Sequence, residues 1–163
     1  MIKTLEVHYE DKDRTIDFPA LLKERGLRKG VEVGVREGAY GDLLLQTIPG
    51  LELYGVDIND VPTFYTKTIR KPSTVAANGF RDGTLDFVYI DASHNYQHVM
   101  QDLTVWARKI RPGGIVAGHE FLGGSYKKIE VKGAVLDWCV SNSVSPLHIY
   151  AKDSHPSWWY AKC

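Results

Sequence analysis

Cysteine is scarce in this chain. Only Cys139 and Cys163 occur among 163 residues, and they form no C-x-x-C pair. This excludes a disulfide framework and points to a reducing compartment. Surplus charge is missing too, because 20 Lys and Arg are balanced by 20 Asp and Glu. A neutral chain has no overall field to draw it to a nucleic-acid backbone or an anionic membrane. Nucleic acid and membrane are therefore disfavoured partners, although a local basic patch is compatible with that balance. No apolar run reaches bilayer length, and the first six residues lack the apolar core of a signal peptide. The expected location is cytoplasmic. There is no internal repeat and no low-complexity tract, and 44% hydrophobic content over this length suffices for one sizeable core. Residues 1–163 are read as a single domain.

What is present is a glycine loop in a particular setting. Val31-Glu32-Val33-Gly34-Val35-Arg36-Glu37-Gly38-Ala39-Tyr40-Gly41 precedes Leu53-Tyr54-Gly55-Val56-Asp57, which reads as strand, glycine loop, helix, strand and terminal acid. Glycine lets the chain leave a strand sharply and approach a ligand closely, and an acid ending the next strand can accept hydrogen bonds from ribose hydroxyls. Dinucleotide enzymes use G-x-G-x-x-G to seat a pyrophosphate at a helix N-terminus. Here the glycines stand at 34, 38 and 41, with Glu32 two residues before the first. A tight turn in an ordinary α/β domain would also explain the loop, but Asp57 at this spacing favours an adenosyl pocket.

Along the chain, loose alternation over 2–18 predicts a short hairpin, and a helix is expected from Pro19 to Arg25. Strands are expected at 31–35 and 52–56, with a helix over 42–47 between them. A helical segment up to Arg70 and a strand at 74–77 should follow. Leu85-Asp86-Phe87-Val88-Tyr89-Ile90 is the strongest strand, apolar enough to be buried on both faces. Val99, Leu103, Trp106 and Ile110 recur at helical spacing before Arg111-Pro112-Gly113-Gly114 ends the segment. A strand at 115–118 delivers His119 and Glu120. A glycine loop at 123–124, a helix near 130–141, and strands near 147–152 and 157–162 complete the order, the last pair reading as an antiparallel edge hairpin. Alternating strands and helices predict a doubly wound α/β Rossmann-like sheet, mostly parallel, of about seven strands with the last antiparallel.

Four segments then carry a resemblance: residues 31–38, Gly55-Val56-Asp57, Leu85 through Ile90 with Asp91-Ala92-Ser93-His94-Asn95-Tyr96, and Arg111 through Gly118 with His119-Glu120. Over about 28–120 the chain resembles class I S-adenosylmethionine-dependent methyltransferases, in particular the small family 24 group of O-methyltransferase-like proteins. The resemblance implies a seven-stranded sheet with its last strand antiparallel and S-adenosylmethionine as cofactor. It also implies that Glu32, Gly34, Val35 and Gly38 hold the methionine end, that Asp57 binds the ribose hydroxyls with Ile58 beside it at the cofactor, and that Asn78, Gly79 and Phe80 border the adenine, with Asp91 close to the cofactor. Metal-dependent relatives present an acid after the fourth strand and an Asp-Asp or Asp-Asn pair after the fifth. This chain offers Asp91 and then His119-Glu120, so one divalent ion on Asp91, His119 and Glu120 is the expectation to test.

Methyl transfer requires an oxygen or nitrogen nucleophile held in line with the methyl group, and an unactivated hydroxyl must also lose a proton. Asp91, His94 and His119 are the catalytic candidates, with either histidine as general base. Each histidine alone is equally well a hydrogen-bonded loop residue shaping the pocket. Tyr96 reads as the first apolar residue of a helix, Trp158-Trp159-Tyr160 as aromatics capping the sheet, and Lys127-Lys128 as a solvated face. His8, His98, His148 and His155 show no ligand spacing. The reading is O-methylation of a small molecule, with copies of the chain itself as the other candidate partner. Its alternatives are a non-catalytic protein that binds an adenosyl ligand and an NAD-type oxidoreductase.

Overall fold

A computed structural model describes residues 4–60, 62, 64–123 and 128–163. Its strands are β1 (Val7–Glu10), β2 (Lys29–Val33), β3 (Glu52–Asp57), β4 (Lys67–Arg70), β5 (Leu85–Ile90), β6 (Ile110–Gly118), β7 (Leu147–Tyr150) and β8 (Ser157–Ala161). The helices are α1 (Asp17–Glu24), α2 (Ala39–Thr47), α3 (Ser73–Ala76), α4 (Tyr96–Trp106) and α5 (Val131–Ser141). One sheet carries every described strand in the order β1-β7-β8-β6-β5-β2-β3-β4. All pairings are parallel except those of β8, which runs against both β6 and β7.

Strict alternation in the central strands sends side chains to two cores. Val31, Val33, Val88, Ile90 and Val116 face a layer with Leu103 and Trp106 of α4 and Val135 of α5. Leu53, Phe87, Tyr89, Ile115 and Ala117 face Phe18 and Leu22 of α1 and Leu44 of α2. The side chain of Asn95 caps α4 by accepting from the Gln97 N–H at 3.0 Å. No helix among the described residues is long and apolar enough to cross a membrane.

Several sequence expectations are corrected. The amino-terminal segment forms no hairpin, because β1 pairs in parallel with β7 instead of folding back on itself. Parity within a short strand cannot say where its partner lies. The late antiparallel pair exists but is no edge, since β8 inserts between β7 and β6 and β1 closes the outside. With β1 the sheet has eight strands. Residues 67–70 form β4 instead of helix, while 73–76 form α3 instead of strand. Trp158, Trp159 and Tyr160 are almost fully buried and belong to the core. Gly124 and Lys127 lie outside the described residues.

Candidate active site

The parallel strands end together, and their ends carry the polar groups. Gly34 leaves β2 at φ +88°, its N–H donates to the Val56 carbonyl, and a Cβ there would run into the Asp91 carbonyl. Glycine is required here both by the left-handed turn and by contact between neighbouring strand ends. Gly38 begins α2 at φ +82°, where a Cβ would meet Phe64 and Pro62.

Asp57 closes β3 and is tied into this loop. Its Oδ2 accepts from the N–H groups of Val35 (2.9 Å) and Arg36 (3.1 Å), and its Oδ1 accepts from that of Asn59 (2.9 Å). Partial burial pushes its pKa up, but the backbone N–H groups outweigh burial and hold it below the usual carboxylate value. Beside it, Ile58 stands exposed at the strand end. The turn out of β4 lies alongside, with the Lys71 N–H donating to the Asp57 carbonyl at 2.9 Å.

Glu32 is the unusual group. It is 2% exposed, and its Oε2 accepts from the Tyr65 hydroxyl at 2.5 Å. Nothing among the described residues donates to Oε1. Burial raises its pKa to about 7, against the Tyr65 hydrogen bond, with the charges of Asp91 and Asp57 adding to the rise.

Asp91 follows β5 and faces two basic groups. His94 Nε2 stands 3.5 Å from Oδ1, and Arg14 Nη1 stands 3.9 Å from Oδ2. Arg14 comes from the segment between β1 and α1. It lies 4.6 Å over the Tyr40 ring and donates to the Tyr89 hydroxyl at 3.3 Å. From Tyr89 a hydrogen-bonded chain runs to Ser157 Oγ (2.9 Å) and from there to His119 Nδ1 (2.9 Å). The two histidines are pushed apart. The bond to Asp91 raises His94, while burial and then the charge of Arg14 lower His119.

The structure thus gathers Glu32, Gly34, Val35, Gly38, Asp57, Ile58, Asp91, His94 and His119 along one rim. It does not bring Asn78, Gly79 and Phe80 there. Gly79 and Phe80 line a groove that runs from Lys29 and Thr84, at the starts of β2 and β5, to Arg70 and Lys71, at the end of β4 beside Asp57. Residues 78–80 follow α3 toward the start of β5, a helix away from the β4 end that adjoins Asp57. The expected ion centre is not assembled either. Glu120, at φ +57°, accepts from His155 at 2.7 Å, and His119 Nδ1 is engaged by Ser157. No three His, Cys, Asp or Glu side chains among the described residues form a metal-holding group. Arg14, Tyr65, Tyr89 and Ser157 escaped sequence reasoning. Arg14 sits in a polar turn and the others in strands or loops, with no motif to mark them.

No curated protein matches the chain. Among solved structures it resembles MycE, a methyltransferase from the mycinamycin biosynthetic pathway in complex with Mg, SAH and mycinamycin VI. That match has 20% identity and a TM-score of 0.67, and covers 91% of this chain but 49% of that one. The chain thus spans about half the length of MycE. It also resembles the O-methyltransferase TomG from Streptomyces achromogenes, involved in tomaymycin synthesis and in complex with SAM, at 14% identity and TM-score 0.66 over 92% of this chain and 80% of that one. A third neighbour is the 1,6-didemethyltoxoflavin-N1-methyltransferase of Burkholderia thailandensis, at 11% identity and TM-score 0.64 over 93% and 79%. At such identities the likeness is one of fold. Residues 31–121, more than half of the chain, match a family described as a methyltransferase domain, and the chain belongs to that family.

Proposed function

We propose that this protein is an S-adenosylmethionine-dependent methyltransferase that methylates an oxygen of a small molecule, in the reducing compartment that its unpaired Cys139 and Cys163 suit. The observation that carries the reading is Glu32, a buried acid with one uncommitted oxygen beneath a left-handed glycine turn. An α-ammonium group is the partner that would restore its charge. The residues fit the rest of the cofactor. Asp57 has acceptor capacity left for ribose hydroxyls, and Ile58 with the turn at 71–73 offers an apolar border for a base. Arg14, whose guanidinium makes a single hydrogen bond among the described residues, supplies a cation for the methionyl carboxylate.

When bound, the cofactor supplies an electrophilic methyl group on a sulfonium sulfur. His119 takes the proton of the acceptor hydroxyl, because burial keeps its imidazole neutral at pH 7. With Nδ1–H donating to Ser157, Nε2 holds the lone pair. His94 stays cationic longer beside Asp91 and orients that carboxylate. Environments that split the pKa values of two neighbouring groups assign their roles.

Calorimetry with S-adenosylhomocysteine and, separately, NAD tests the cofactor, and mass spectrometry of a panel of hydroxylated acceptors with S-adenosylmethionine tests transfer. Binding of S-adenosylhomocysteine with a methylated acceptor supports the reading. Binding without transfer to any acceptor leaves a non-catalytic adenosyl-binding protein, and preference for NAD overturns the reading.

A further inference from the structure

The crossover from β4 to β5 is short. Helix α3 spans four residues and is continued by a single 3-10 turn over Ala77–Gly79. A full-length crossover helix would cover the outer face of β3 and β4, whereas this one leaves a groove of about 590 Å³ along the edge strand. Five cations line it: Lys29, Lys67, Arg70, Lys71 and Arg81. Two are matched, Arg70 by Asp60 at 2.9 Å and Lys29 by Glu52 at 3.6 Å. Lys67, Lys71 and Arg81 have no carboxylate partner among the described residues. In a chain of zero net charge this is a local concentration of unmatched positive charge.

The floor is not polar. The Tyr54 and Phe80 rings meet edge to face at 5.3 Å, and both line the groove. Where a Cβ of Gly79 would stand there is open space. A bare inorganic anion would need the cations but not the aromatic floor. The volume is that of a small-molecule pocket, in the range of about 300–1,000 Å³.

We propose that this groove is a second ligand site, for a nucleoside di- or triphosphate, with the phosphates on Lys67 and Arg81 and the base against Tyr54 and Phe80. The part of the groove at Lys29, Lys67, Arg81 and Thr84 lies toward the strand starts, while its other end, at Arg70 and Lys71, adjoins Asp57 and the turn that borders the adenosyl pocket.

Calorimetry with ATP on the full chain, with and without saturating S-adenosylhomocysteine, tests it, alongside inorganic triphosphate and the double variant Lys67→Glu, Arg81→Glu. The expected result is one ATP per chain in either condition, binding that weakens with added salt, and at least a tenfold loss in the double variant with S-adenosylhomocysteine affinity unchanged. Displacement of ATP by S-adenosylhomocysteine, equal binding of ATP by the double variant, or triphosphate binding as tightly as ATP would overturn the proposal. A failure of S-adenosylhomocysteine to bind counts against the methyltransferase reading alone, because the ATP titration without it still decides the groove.

Discussion

Glu32 shows how one residue can work against stability while serving a site. Its folded-state pKa of about 7 lies above the ordinary carboxylate value of 4.5, so the folded protein holds this proton more tightly than the unfolded chain does. Stability at this position is complete below pH 4.5, declines as pH rises toward 7, and is lower by about 3 kcal/mol above it. Glu32→Gln keeps an acceptor for Tyr65 and cannot ionise. Denaturant unfolding should show the variant more stable than wild type at pH 8 and little changed at pH 4.5, while its affinity for S-adenosylhomocysteine falls. Equal gains at both pH values would mean that Glu32 does not ionise in the fold. Asp57 has the opposite character, since its carboxylate organises the glycine loop as well as facing the ligand. Asp57→Ala should therefore cost about 2 kcal/mol of stability, the range for lost hydrogen bonds to a charged group, and weaken S-adenosylhomocysteine roughly a hundredfold, equivalent to about 2.7 kcal/mol. Thermal unfolding and calorimetry on the same preparation measure both effects.

Among the elements, β8 decides the chemistry of β6. Antiparallel pairing sets the start of β8 beside the end of β6, with Gly118 opposite Trp158. Ser157 thereby comes between Tyr89 and His119. Ser157→Ala removes the acceptor that holds the His119 tautomer, so kcat should drop about tenfold or more, following the worth of one positioned hydrogen bond, with cofactor affinity retained. Unchanged turnover would show that the serine only fills space. The connections were harder to read than the strands. The described residues of the link from β3 to β4 form no helix, and its Tyr65 packs inward to bond Glu32. Nothing in the polar, β-branched run before Arg70 distinguishes such a strap from a weak helix, because the contact that fixes it is made by a residue 33 positions away.

For the whole molecule, the pH dependence of turnover integrates the site. In the proposed mechanism His119 acts as the base when neutral, and its pKa lies below the ordinary 6.5. The rate should rise with pH through a value under 6.5 and be level by pH 7, whereas His119→Asn should lose that limb. A rising limb above 6.5 would instead assign the base to His94, whose pKa is raised by Asp91.

Local pattern alone was enough for the strand–loop–helix around Gly34, the acid ending β3, the buried run of β5 and the amphipathic α4. These are set by spacing within a few residues, by glycine's access to positive φ, and by apolar periodicity. The same local signals placed Glu32, Asp57, Asp91, His94 and His119 at strand ends, where open α/β sheets bind ligands. Only the tertiary structure decided what those residues meet. Strand order put β8 beside β6 and β1 outside β7, supplied Arg14 from a distant turn, set residues 78–80 a helix away from the end of β4, and turned Glu120 toward His155. Pairing partners and loop paths are set by which apolar faces bury together across the whole sheet, and that sum over distant residues leaves no mark in any single stretch of sequence.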